Sequence, residues 1–194
     1  MVRPVSGKEL WLGAYNLSNQ TPGPCHHLGY GSDQPRTATD YSTAGGLFAL
    51  ARYDGRILIW RVSDGRLTAT LNGPSNEVQA VRFSPNGRFL ASFTRKKGIT
   101  IWDVASAAAV RDLEFGAARD YDLAFSPDGR TLASTSEDGS VRLWSLEARR
   151  ELATLSRSGP LDYLEFTSDG RTLVGTGTNG HLQLWRAKAC DPVR

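Results

Sequence analysis

Apolar residues in this chain come in short runs of four to six, broken by Gly, Asp, Asn, Ser and Pro. They never settle into the three-and-four spacing of an amphipathic helix, so helix should be minimal. Between residues 78 and 115 the runs are VQAVRF, RFLASFT, ITIWDV and AAVRDLEF. The next stretch repeats the order as DYDLAF, RTLAST, SVRLWSL and RELATL. Each unit therefore reads as four short strands. The breaks carry turn chemistry. In Ser84-Pro85-Asn86-Gly87 and Ser126-Pro127-Asp128-Gly129, Pro presets φ at the second position and Gly closes the fourth, as a type I turn requires. Asp54-Gly55, Asp138-Gly139 and Asn179-Gly180 fall between second and third strands, where a tight hairpin needs positive φ.

Two ladders fix the period. Trp60, Trp102, Trp144 and Trp185 are spaced 42, 42 and 41 residues apart, and Tyr41, Phe83, Phe125 and Phe166 repeat the same spacings 19 residues earlier. Together they span residues 35 to 188. Four short antiparallel strands cannot bury both faces alone, so such units must stack on one another. ILIW at 57–60 is apolar on both sides, which suits a sheet held between two others. The expectation is an all-β protein, a β-propeller of about four four-stranded blades.

The segments FSPNGRFLASFTRKKGITIWDV (83–104) and FSPDGRTLASTSEDGSVRLWSL (125–146) resemble WD-repeat (WD40-type) sequences. So do YSTAGGLFALARYDGRILIWRV (41–62) and FTSDGRTLVGTGTNGHLQLWRA (166–187). The Trp-Asp dipeptide occurs once in them, as Trp102-Asp103, against Trp60-Arg61, Trp144-Ser145 and Trp185-Arg186. The Gly-His pair that opens the family's repeat is missing from all four, and the Asp position six before each Trp holds Asp54, Lys96, Asp138 and Asn179. The side-chain network of His, Ser or Thr, Asp and Trp is therefore incomplete. One such hydrogen bond contributes about 0.5–1.5 kcal/mol, so the fold should survive on its apolar ladders. What the resemblance implies is a non-catalytic platform that holds proteins or peptides on its loop surfaces.

The ends fit the period less well. Residues 1–34 read as an N-terminal strand and a long loop, residues 35–75, 76–116, 117–158 and 159–188 as blades, and 189–194 as a tail. The last blade stops after its third strand. Lys8–Tyr15 could supply the missing one, or be the third strand of an earlier blade; 16–34 show no strand pattern. The family's usual seven blades need roughly 290 residues at about 42 each. At 194 residues this chain reads as an incomplete or truncated ring, an unusually small closed one, or half of a ring shared by two chains. An unclosed ring should self-associate through its bare faces.

Composition narrows the function classes. With 23 basic and 20 acidic residues the formal charge is +3, too mild a surplus to imply nucleic acid. No apolar run approaches a membrane span, the start carries no secretory signal, and two cysteines are too few for a disulfide framework, so a cytoplasmic chain is expected. For a protein or peptide partner, the best candidate surface is the rim of second-to-third hairpins. There Arg95, Lys96 and Lys97 would attract an acidic group or a phosphate, unless they form only a solvated tip. Tyr53, Glu137, Thr178 and His181 share that rim, with Asn76, Asp120 and Asp162 from neighbouring loops. No catalytic, cofactor or metal residues are expected. Gly175-Thr176-Gly177-Thr178-Asn179-Gly180 spells a dinucleotide fingerprint but runs on into a strand rather than a helix. Cys25-His26-His27 lacks the ligand spacing of a zinc site. No nucleophile elbow or H-E-x-x-H pair occurs. The alternatives are a small-molecule or hydrolytic propeller with polar residues converging on the channel mouth, or a fragment of a larger multidomain WD-repeat protein.

Overall fold

A computed structural model of the chain describes residues 38–52, 54–73, 78–94, 97–113, 122–136, 138–155, 161–177 and 180–187, and the backbone of three earlier strands. Those strands, β1 (Val2–Val5), β2 (Glu9–Asn16) and β3 (Thr21–His27), form an antiparallel sheet in sequence order. Blade 1 contains β4 (Thr39–Ser42), β5 (Leu47–Ala51), β6 (Arg56–Arg61) and β7 (Leu67–Asn72). Blade 2 contains β8 (Val78–Phe83), β9 (Phe89–Thr94), β10 (Gly98–Asp103) and β11 (Ala108–Leu113). Blade 3 follows with β12 (Leu123–Phe125), β13 (Thr131–Thr135), β14 (Val141–Ser145) and β15 (Arg150–Leu155), and blade 4 with β16 (Tyr163–Phe166), β17 (Thr172–Thr176) and β18 (Leu182–Arg186). Each blade is an antiparallel meander in chain order, and no helix occurs among the described residues.

The turns form as their residues dictate. Gly87, Gly129 and Gly170 donate their N–H to the carbonyls of Ser84, Ser126 and Thr167, each at 2.8 Å, closing the first-to-second turns. Gly55, Gly98, Gly139 and Gly180 all have φ between 74° and 84°, at the end of the second-to-third hairpins. Gly87 is doubly constrained. Its φ is +69°, and a Cβ there would sit 2.7 Å from Ser42 Oγ and 3.3 Å from Gly45 in the corresponding turn of blade 1. Gly87→Ala should therefore cost about 2 kcal/mol, read as a lower urea midpoint.

The turn carboxylates stabilise the same loops. Hydrogen bonds from Arg56 to Asp54, Ser126 to Asp128 and Ser140 to Asp138 hold these three acids below the usual carboxylate range. With folded values below unfolded ones, their contribution is complete above about pH 4 and is lost as pH falls through the folded values. Acid titration followed by circular dichroism should show stability falling below that point.

The blades stack face to face. The Trp-bearing face of blade 2, with Phe83, Leu90 and Trp102, packs on Ala49, Ile57 and Ile59 of blade 1. Blade 3 sets Leu123, Leu132 and Trp144 against Phe93, Ile99 and Ile101. Blade 4 repeats this with Leu161, Leu164 and Leu173 on Ala133 and Val141. The first strands β4, β8, β12 and β16 lie side by side, so they form the inner wall of the stack. A register shift precedes the Trp in β6, β10 and β14, the same bulge in three blades.

Blade 4 ends the series. At the positions of the buried Ile57, Ile99 and Val141 it carries Leu182, which is 64% exposed, and at those of Ile59 and Ile101 it carries Leu184, which is 46% exposed. No described residue covers them.

The N-terminal segment corrects two expectations. Residues 8–15 do not complete blade 4, because Glu9–Asn16 pairs with β1 and β3 instead. Pairing with chain neighbours closes loops of three or four residues, which costs far less entropy than a return across the whole chain. The stretch expected as loop contains β3, whose Pro22 and Pro24 hide the strand pattern; β3 is an edge strand, where Pro is tolerated.

Candidate functional site

Antiparallel strands reverse at every turn, so second-to-third hairpins and the connections between blades collect on one rim. First-to-second and third-to-fourth turns collect on the other. Of the residues expected to form a contact surface, Lys97, His181 and Asp162 are described and lie on the first rim. Tyr53, Arg95, Lys96, Glu137, Thr178, Asn76 and Asp120 lie outside the described residues, as do the side chains of Cys25, His26 and His27. Lys97 is already engaged: its Nζ lies 2.7 Å from Asp112 Oδ2 on the outer strand of its own blade. Burial raises the Asp112 pKa, but bonds from Lys97 and Thr100 outweigh it and leave the carboxyl below its ordinary value. His181 and Asp162 are exposed at the starts of β18 and β16, and the Asp162 N–H donates to the Thr176 carbonyl at 2.9 Å.

The inner wall carries a polar chain absent from the sequence expectation. The Asp40 carboxylate accepts the Phe83 N–H at 2.6 Å, joining blade 1 to blade 2. Arg82 donates to Asp122 Oδ1 at 2.7 Å, joining blade 2 to blade 3, and the Leu164 N–H donates to Asp122 Oδ2 at 2.9 Å, joining blade 3 to blade 4. A first strand has only one neighbour in its own sheet, so its outward N–H groups need partners from elsewhere. Carboxylates from adjacent blades provide them. Beside these, Tyr163 donates its hydroxyl to Glu165, and that bond pushes its pKa up to about 12. At neutral pH the phenol is fully protonated, and both Asp122 oxygens are occupied. The cluster locks blades together, and each Asp122 oxygen already accepts a bond, from Arg82 and from the Leu164 N–H.

A different feature stands on the second rim, where a cleft of about 400 Å³ opens between blades 2 and 3. Phe89, Ile101 and Leu146 form an apolar floor, and Val110, 48% exposed, lines one side. Four arginines surround it. Arg88 stacks 4.8 Å above the Phe89 ring centroid and bonds Asp103 at 3.3 Å. Arg130 and Arg149 come from the two turns of blade 3, and Arg111 from β11. The Nε of Arg111 is buried without a hydrogen-bond partner, and burial, with the charge of Arg149, lowers its pKa.

Arg149 is also strained. It lies at φ +57°, one period after Ala107 at +53° and two after Gly65 at +65°. The third-to-fourth turn thus demands a left-handed residue in each of blades 1 to 3, and of these only blade 1 supplies Gly. A side chain there costs roughly 1–2 kcal/mol. Ala107→Gly should raise stability by about 0.5 kcal/mol in urea unfolding, the strain relief being partly offset by the entropy of Gly in the unfolded chain.

No group of three or more potential metal-ligating side chains occurs among the described residues. Nor is any described helix long and apolar enough to cross a membrane.

Comparison with known proteins agrees with the repeat. The family model for the anaphase-promoting complex subunit 4 WD40 domain matches residues 39–119, and that for the WD domain, G-beta repeat, matches 121–145. WD repeat-containing protein SL1-17 of Schistosoma mansoni is 38% identical over 55 residues, a match covering 28% of this chain and 18% of that protein. Among solved structures, a chain from the crystal structure of the mitotic checkpoint complex superposes with a TM-score of 0.70 at 24% identity. That match covers 78% of this chain and 46% of the other, so the chain spans less than half the length of its structural neighbour. Sheet order, the Trp ladder and two adjoining family matches converge: the chain belongs to the WD-repeat family and has its β-propeller fold.

Proposed function

We propose that this chain is a non-catalytic, cytoplasmic scaffold that holds protein partners on the loop surfaces of a rigid stack of WD blades. One observation carries the reading: every described interface between blades is tied by a side-chain bond on the inner wall, which leaves the rims as the surfaces free to bind. Membership of a family whose members typically scaffold protein interactions supports it. So does the setting of a structural neighbour, the mitotic checkpoint complex. The second reading, a substrate site at the channel mouth, draws on the same convergence of Asp40, Arg82, Asp122 and Tyr163. Engagement of both Asp122 oxygens by neighbouring blades weighs against it.

The test is affinity capture with the chain immobilised, comparing it with folded variants charge-reversed on each rim. Recovery of reproducible partners that is lost on reversing one rim is expected. Partners that survive reversal of both rims, or turnover of a small molecule abolished by Tyr163→Phe, would overturn the reading.

A further inference from the structure

We propose that the cleft between blades 2 and 3 binds an acidic peptide segment, seating an apolar side chain on its floor and a carboxylate between Arg111 and Arg149. The inference rests on the scaffold reading and names the surface and the chemistry of the partner. It places that surface on the rim opposite the one suggested by Arg95, Lys96 and Lys97.

Charge complementarity selects the occupant. Arg88 is committed to Asp103, and Asp103 also accepts bonds from the Ser106 N–H and hydroxyl. What remains is Arg111, Arg130 and Arg149 against the single carboxylate of Glu147, a cationic surplus inside a recess. The Arg111 Nε–H is already out of water and has no acceptor. A buried donor without a partner is costly, and a carboxylate is the acceptor that repairs it most completely, by charge-assisted bonds to a planar fork. The neighbouring charge of Arg149 disfavours the ionised Arg111, so a bound anion would relieve that repulsion as well. Arg149 occupies a left-handed turn position that blade 1 fills with Gly65, so Gly can replace it without cost to the turn. The floor explains why the ligand is more than an anion. Phe89, Ile101, Leu146 and the half-exposed Val110 offer an apolar surface that a free phosphate or carboxylate would leave wet. A volume of about 400 Å³ accommodates one or two side chains of a peptide, within the usual range for such pockets.

The probe is a fluorescein-labelled heptapeptide of sequence SELEELS, read by anisotropy at low and high salt against SKLKKLS. The acidic peptide should bind at least tenfold more tightly than the basic one and weaken several-fold between 50 and 300 mM salt. Arg149→Gly is the decisive variant, because it removes the guanidinium while relieving the strained turn. It should weaken the acidic peptide about tenfold with an unchanged or raised urea midpoint. Arg111→Gln should do the same, and Lys97→Glu on the opposite rim should have no effect. Equal binding of both peptides would overturn the proposal in favour of apolar adhesion. Displacement by inorganic phosphate below 1 mM would overturn it in favour of a small-anion site. If neither cleft variant alters peptide binding while partner capture depends on the opposite rim, the cleft proposal falls and the scaffold reading stands. If capture depends on neither rim, both fall.

Discussion

Trp102→Ala should remove about 4 kcal/mol of stability, a large part of what a domain of this size holds in reserve. The indole is 4% exposed and lies at the interface of blades 1 and 2, among Ala49, Ile59, Val81 and Leu90. Its Nε1–H donates to Ser92 Oγ at 2.8 Å, and Ser92 is itself buried. Truncation leaves a cavity and an orphaned hydroxyl together. Trp102→Phe separates the two losses: the ring still fills most of the space, so only about 1–2 kcal/mol should go, mainly from Ser92. Trp185→Ala provides the contrast. The serine of that pair is replaced in blade 4 by Gly175, and β18 is the edge of a three-stranded sheet, so Trp185 is only partly buried and its loss should cost less than half as much. Urea midpoints from circular dichroism at one temperature compare all three. Equal losses at Trp102 and Trp185 would mean that the ladder works by side-chain size alone, without regard to its blade.

That contrast also shows what the sequence made legible. The 42-residue period predicts the sheets because apolar alternation and turn glycines recur in phase; the glycines at 55, 139 and 180 take the positive φ expected of them, and Gly98 does the same in blade 2. The incomplete family network is equally visible, and the structure shows what persists: Trp102–Ser92 at 2.8 Å and Trp144–Ser134 at 3.2 Å, in the two middle blades. The locks of the inner wall were not legible. Asp122 stands where blades 1 and 2 have Ala38 and Ala80, so it breaks the period and looks like noise. Its partners, Arg82 and Leu164, lie about one period away on either side, a distance that means contact only once blades are stacked. The cleft was hidden for a related reason. Arg111 and Arg149 come from different blades, one from a strand and the other from a turn, and the one available signal was phase: Arg149 falls where blade 1 has Gly65. The rim inferred from Arg95, Lys96 and Lys97 drew attention by its charge run, whereas Lys97 spends its charge on Asp112.

Asp122→Ala should cost about 3 kcal/mol, because one substitution unties two of the three inner-wall junctions. The carboxylate is buried, and its loss leaves the Leu164 N–H without an acceptor and Arg82 without its counter-ion. Breaking a buried pair from one side costs roughly 3–5 kcal/mol; Arg82, 30% exposed, can turn to water, which places the effect at the lower end. Arg82→Met should cost less, since the carboxylate keeps its backbone donor. The double variant should lose less than the sum of the two, a coupling read from a double-mutant cycle. The pH dependence has a definite sign. Burial outweighs the attraction of Arg82 and raises the Asp122 pKa, so the folded state holds this proton more tightly than the unfolded one. The stabilisation from Asp122 is then complete below about pH 4 and diminishes as pH rises through the folded value. Asp122→Asn cannot titrate. Its penalty relative to the natural chain should therefore be largest near pH 4 and shrink towards pH 7, opposite in sense to the turn carboxylates Asp54, Asp128 and Asp138. A penalty that grows with pH would show that Arg82 and the Leu164 N–H outweigh burial, and that the junction is a salt bridge favourable in its own right.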